Sequence, residues 1–268
     1  MAVARETILL LEEIAANAVT PPTVQLVDGW LLRAWPEAPF RRSNSVLALR
    51  GEAQGLDARL ALVEDFYRRR DLPVRYQLSP VVSPPELEDA LIARGYALEV
   101  TSLVQTAAAS RVVAATAPSR AAAEFEITTD ETVDEAWLVA NAGAHGADES
   151  SRVRLAVYAR LLARLGPRAA AVALRLPDIG AAAAGFVVVE RGWAGIFGMG
   201  TNPAARRRGV ATAILHALAQ HARDHGAAQL YLQVEEDNDP ALALYARAGF
   251  APAYRYHYRS LGVRELHG

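Results

Sequence analysis

The stretch Trp193-Ala194-Gly195-Ile196-Phe197-Gly198-Met199-Gly200-Thr201-Asn202-Pro203-Ala204-Ala205-Arg206-Arg207-Arg208-Gly209-Val210-Ala211-Thr212 decides how this chain folds. It opens as an apolar strand interrupted by Gly198 and Gly200, and glycines inside a strand mark a bulge or the close approach of another backbone. Pro203 ends the strand. Three arginines and Gly209 then lead into a helix, whose first amides have no partner within the helix and whose dipole favours an anion. The small Gly209 and Ala211 let phosphate oxygens reach main-chain N–H groups, while the arginines add charge-assisted hydrogen bonds. Taken alone, the same triplet also reads as a solvated basic turn ahead of an amphipathic helix.

Downstream, Val210, Ile214, Leu218 and Ala222, with Ala211, Leu215 and Ala219 beside them, form one apolar helix face. A strand follows at Leu230–Val234, then a helix from Pro240 to Ala248 that Gly249 ends, then a last strand from Phe250. That strand places Tyr254, Tyr256 and Tyr258 on one side, where they cover a sheet face or line a pocket. Subtracting 154 from these numbers lands on the same plan. Gly209 falls on Gly55, Leu230–Val234 on Tyr76–Pro80, and Gly249-Phe250 on Gly95-Tyr96, with helices expected at Leu60–Tyr67 and Pro85–Arg94. Both glycines stay in register without a gap, which argues for an internal duplication. Gly29–Arg33 and Arg42–Val46 read as paired strands of the first copy. The Ala- and Ser-rich stretch from Gln105 to Glu124 reads as a linker, giving domains 1–118 and 119–268.

Composition is that of a soluble globular protein long enough for two domains, at 268 residues with 52% hydrophobic and 22% charged content. A net charge of −2 offers nothing global to attract nucleic acid or an anionic membrane. With no Cys there is no disulfide, thiolate catalysis or Cys-bound zinc. The start, Met1–Leu11, lacks a secretory pattern, and the longest apolar run, Ala181–Val189, falls short of a membrane span, so a cytoplasmic location is expected. All 28 basic residues are Arg.

Thr201–Ala211 resembles the coenzyme A signature of the GNAT superfamily of N-acetyltransferases: Arg or Gln, two residues, Gly, one residue, then Gly or Ala. Leu230–Ala241 followed by Leu244-Tyr245 and Gly249-Phe250 is similar to that superfamily's second signature. The resemblance implies an α/β fold, a mixed, mostly antiparallel sheet flanked by helices, repeated as two tandem acyl-CoA N-acyltransferase folds. It implies acetyl-CoA as co-substrate, with no metal, and direct transfer in a ternary complex to a primary amine of a small molecule or a protein. Two central strands, Trp193–Thr201 and Leu230–Val234, would splay to admit the pantetheine arm, whose amides would meet main-chain groups of Met199, Gly200 and Thr201. Arg206, Arg207, Arg208, Gly209, Val210, Ala211 and Thr212 would take the pyrophosphate, and Asn238 would sit near the pantetheine end. Tyr245 matches the tyrosine near the sulfur and would protonate the departing thiolate; without that match it reads as a core tyrosine.

Glu190, Glu235 and Glu236 are candidate bases, each at a strand end where carboxylates are also ordinary solvated residues. His221 and His225 share a helix face at metal-ligand spacing but lack a third ligand, and read as surface. The loop Asn141–Ser151, with Asp148 and Glu149, matches the region that covers the acceptor in related folds. In the first copy Arg206, Arg207, Arg208 and Ala211 become Glu52, Ala53, Gln54 and Asp57, and Tyr245 becomes Leu91, so this half is expected to keep the frame without the cofactor site. A monomer or homodimer is expected. The competing function is a non-catalytic acyl-CoA sensor or interaction module.

Overall fold

Gly55 and Gly209 do the same job 154 residues apart. Each is the left-handed residue, at φ 73° and φ 83°, from which a long helix starts. The computed structural model describes residues 3–52, 54–118, 125–131, 137–141 and 149–262. The helices that follow the two glycines, α2 (Leu56–Arg68) and α6 (Val210–Asp224), begin in register under the same offset. So do the strands β5 (Ala97–Ala108) and β11 (Ala251–Leu261), and Gly95 and Gly249 both take positive φ ahead of them. The expected duplication is thus written in the backbone as well as in the residues.

Two compact units divide the chain, one of residues 1–103 with 253–268 and the other of 104–252. The first holds α1 (Arg5–Ala18), β1 (Thr23–Val27), β2 (Trp30–Ala34), β3 (Val46–Ala48), α2, β4 (Val74–Leu78), α3 (Leu87–Ala93), the start of β5 and nearly all of β11. Its strands run β1-β2-β3-β4-β11-β5, and β11 lies antiparallel to β4 from His257↔Leu78 to Leu261↔Val74. Trp30, Leu60, Phe66, Tyr67, Tyr76, Leu91 and Tyr96 centre the core. A buried polar network crosses it. Glu12 accepts from Gln77 Nε2 at 2.6 Å and Tyr254 Oη at 2.7 Å, and Arg42 Nη2 donates to Tyr256 Oη at 3.1 Å. Burial pushes the Glu12 carboxyl up, against the pull of Arg42, Tyr254 and Arg33.

The second unit holds the end of β5, α4 (Ala109–Ala115), β6 (Glu126–Asp130), a helical stretch at 137–141, α5 (Glu149–Leu165), β7 (Ala169–Leu176), β8 (Gly180–Glu190), β9 (Trp193–Thr201), α6, β10 (Gln229–Glu235) and α7 (Asp239–Arg247). Its strands run β5-β10-β9-β8-β7-β6, with β6–β7, β7–β8 and β8–β9 antiparallel and β9–β10 parallel. Gly185 of β8 faces α6, where a Cβ would come 3.0 Å from Leu218 Cδ1 and 3.3 Å from Ile214 Cγ2. The next residue, Phe186, faces the other side, edge-on to Tyr158 of α5 at 5.7 Å. The sheet is therefore packed between α6 and α5.

Two readings need correcting, and the compact units differ from the two repeats. The expected linker at 105–124 is, as far as it is described, the end of β5 and then α4. Alanines give little periodicity, yet Ala107, Ala109 and Val112 are buried and Ala109 N–H donates to Ala228 O at 3.0 Å. Arg42–Asn44 belongs to a 3-10 turn, Arg41–Asn44, because the Asn44 amide exchanges hydrogen bonds with both main-chain groups of Trp35 and draws the chain out of the ladder. The tyrosine strand β11 belongs with the first unit, so the compact units do not follow a cut at 118.

Candidate active site

The bulge expected from Gly198 is where β8 and β9 lose step. Ala184 opposes Gly200 and Phe186 opposes Phe197, so β9 carries one extra residue, and Gly198 takes φ 59°. A bulge leaves main-chain carbonyls without ladder partners, and two side chains four residues apart take them. Trp137 Nε1 donates to Gly185 O at 2.8 Å, and Asn141 Nδ2 donates to Gly198 O at 3.3 Å. On its far edge β9 pairs with β10 only from Trp193↔Gln229 to Ile196↔Leu232. Both strands continue, to Thr201 and Glu235, with no further register between the two of them. Met199, Gly200 and Thr201 lie along this open edge, each half-buried.

From Thr201 the chain enters a loop that Asn202 organises, its Oδ1 accepting from Ala204 N–H at 3.0 Å. Arg206, Arg207, Arg208 and Gly209 are exposed, and Arg207 also takes the left-handed conformation, at φ 65°. Nothing stands within 4 Å of the position a Gly209 Cβ would take. Val210, Ala211 and Thr212 form the first turn of α6, whose first backbone bond runs from Ala213 N–H to Gly209 O. Arg208 is turned aside, its two Nη atoms bound to Asp178 Oδ2 and Oδ1 at 2.7 and 3.2 Å. That hydrogen-bonded pair holds the exposed Asp178 carboxyl below its usual range. Tyr245 lies in α7, buried, its ring edge-on to Phe250 at 5.8 Å, and burial pushes its phenol up to about 12.

Residues 155–250 match the acetyltransferase (GNAT) family. An uncharacterized N-acetyltransferase of Bacillus subtilis (strain 168), YobR, is 27% identical over 250 residues, covering 93% of this chain and 96% of its own. A tandem GNAT protein from the clavulanic acid biosynthesis pathway superposes with a TM-score of 0.69 at 15% identity, over 94% of this chain and 87% of that one. A GCN5-related N-acetyltransferase from Kribbella flavida gives 0.70 at 15% identity, over 97% and 96%. The second repeat is a GNAT acetyltransferase domain. With both structures spanning nearly the whole chain, its architecture is that of tandem GNAT folds.

Within this GNAT domain the remaining candidates separate. Glu190 opposes Trp193 at the β8–β9 hairpin and pairs with Arg168 at 2.9 Å, and Gly198 lies five residues further along β9, about 17 Å away at strand rise. It is not brought to the open edge. Glu235 and Glu236 are exposed just past the end of the pairing. Asn238 caps α7, its Oδ1 accepting from Ala241 N–H at 3.3 Å. His221 and His225 stack at 3.9 Å between ring centroids; burial, then its partner's charge, lowers the His221 pKa. Among the described residues no group of three His, Cys, Asp or Glu is placed to hold a metal, and no helix is long and apolar enough to cross a membrane. Asp148 lies outside the described residues. The sequence reading missed Trp137, and it missed the brace Asn141 gives the bulge, though their i, i+4 spacing was visible. It also missed Asp178, whose pairing with Arg208 no local pattern announces.

Proposed function

We propose that the chain is an acetyl-CoA-dependent N-acetyltransferase that moves an acetyl group to an amine in a ternary complex. The observation that carries this reading is the end of β9–β10 pairing at Ile196↔Leu232, on a strand that runs directly into the open N-terminus of α6. The residues present fit the co-substrate. The unpaired edge at Met199, Gly200 and Thr201 offers main-chain groups to an amide-bearing arm, as a sheet edge does to an added strand. Arg206, Arg207 and the amides of Gly209–Thr212 would hold a diphosphate. Arg208 reaches it only by leaving Asp178.

The co-substrate supplies an acetyl thioester. The neutral amine nitrogen forms a bond to the acetyl carbon, the carbon–sulfur bond breaks, and Tyr245 Oη gives its proton to the leaving thiolate. Burial keeps that phenol protonated for the task, and among the described residues no hydrogen bond holds its hydroxyl elsewhere. The proton lost by the amine passes to water, for which Glu235 and Glu236 are the carboxylates nearest in sequence to the open strand end. The first repeat would support this chemistry without repeating it, since the first turn of its helix α2 carries Asp57, held by Arg94 Nη2 at 3.0 Å, where the second has Ala211.

Ala211→Trp tests the reading by filling the diphosphate space. Calorimetry should show acetyl-CoA binding to the parent and none to the variant, and free-thiol release over a panel of amines should follow binding. Equal affinity in the two proteins would remove the loop from the site. Tight binding with no thiol release from any amine would leave a sensor rather than an enzyme.

A further inference from the structure

Among the described residues of the second unit, four buried polar atoms have no hydrogen-bonding partner: Gln105 Oε1, Asn141 Oδ1, Arg154 Nε and Gln233 Nε2. The last three share one neighbourhood. Asn141 Nδ2 must face Gly198 O to donate to it, which fixes the amide and leaves Oδ1 as the unmatched acceptor. Tyr158 reaches the same glycine, its Oη 3.5 Å from where a Gly198 Cβ would stand. Arg154 precedes Tyr158 by one turn on the same face of α5. Gln233 follows Tyr231 by two residues and so shares the face on which Tyr231 meets Phe197, one step past the last β9–β10 pair. All three thus gather about the bulge, on the α5 side of the sheet, where the strands part.

Their chemistry is complementary. Asn141 Oδ1 can only accept a hydrogen, while Arg154 Nε and Gln233 Nε2 can only donate one. Arg154 is half-buried and makes no ion pair among the described residues, although a guanidinium taken from water without a carboxylate is strongly disfavoured. Phe197, the half-buried ring of the cluster it forms with Phe186 and Tyr231, gives an apolar surface between them. An amine alone would satisfy Asn141 and leave both donors unmatched.

We propose that the acceptor is an amino acid, an amine that also carries a carboxylate, with its N–H given to Asn141 Oδ1, its carboxylate held by Arg154 and Gln233, and its apolar part against Phe197. This rests on the acetyl-transfer reading above and narrows it to a substrate class. Transfer consumes the neutral amine as already described; the carboxylate takes no part in the bond changes and serves only to place the nitrogen.

The test compares three matched pairs as acceptors: phenylalanine with 2-phenylethylamine, leucine with 3-methylbutylamine, and lysine with cadaverine. Acetyl-CoA affinity is measured in parallel by calorimetry. At least one amino acid should exceed its carboxylate-free partner by about 10²-fold in kcat/KM, the scale on which a buried charge pair discriminates. Arg154→Gln should collapse that ratio through a raised KM for the amino acid, and Arg154→Lys should restore part of it. Preference for the carboxylate-free amines, a ratio unchanged in Arg154→Gln, or no acetylation of any of the three amino acids while acetyl-CoA still binds would each overturn the proposal alone. Failure of acetyl-CoA to bind the parent would instead bring down the transfer reading, and this inference with it.

Discussion

At the scale of single residues, Tyr245, the proposed acid, would serve packing and chemistry with one side chain. Its ring is buried against Phe250, so removing only the hydroxyl leaves the apolar contacts intact. Tyr245→Phe should therefore lower kcat by about 10²-fold or more with little change in acetyl-CoA affinity, the loss expected for a missing general acid. Full activity would return Tyr245 to the core. The pH dependence has a definite sign. Burial raises the phenol pKa to about 12, so the acid form persists below that value and is lost only as pH rises through it. The parent's kcat should show no alkaline fall owing to this group until pH nears about 12, and any earlier limb should remain in Tyr245→Phe. A pH profile of the two proteins checks both statements.

At the scale of elements, the sequence announced the bulge and the open helix but not what supports them. Glycine at 198 signals its own unusual backbone, and Gly209 ahead of an apolar 3.6-residue repeat signals a helix start, because both are local facts. The brace from Trp137 and Asn141 is long-range, joining residues 48 and 57 positions apart, and no periodicity encodes such a bond. The diversion of Arg208 to Asp178 is of the same kind, and the charge run alone gave it the role of its neighbours. Glu190 ends its strand at the hairpin, at the opposite end of β9 from the open edge proposed for the co-substrate. The bulge makes its own prediction. In Gly198→Ala the new Cβ would sit 3.0 Å from Phe186 Cε1, in a conformation that costs an L-residue roughly 1–2 kcal/mol. A fall of roughly 3–8 °C in Tm is expected by thermal denaturation, together with lower turnover, since the strand edge it distorts is the one that would hold the co-substrate. Unchanged stability would show that the bulge is not under the constraint inferred for it.

At the scale of the whole molecule, the duplication was legible because its markers are glycines with fixed backbone roles at a constant offset. The division into units was not, because the last strand of the second repeat is used by the first unit, and partner choice in a sheet is set by contacts far apart in sequence. Tyr254 and Tyr256 read as one face of a strand, correctly, but what they face is Glu12 and Arg42, over two hundred residues earlier. A fragment of residues 1–118, which a linker at 105–124 would recommend, therefore lacks the strand that pairs with β4. It also leaves the Glu12 carboxylate and the Arg42 guanidinium without their tyrosine partners. A hydrogen bond to a charged group contributes about 1.5–3 kcal/mol, and the loss of an inner strand adds to that against a total stability of only about 5–15 kcal/mol. The 1–118 fragment should show no cooperative thermal transition by circular dichroism. The same fragment with residues 251–262 joined through a flexible linker should recover one. A cooperative melt from 1–118 alone would mean that β11 is dispensable to the first unit.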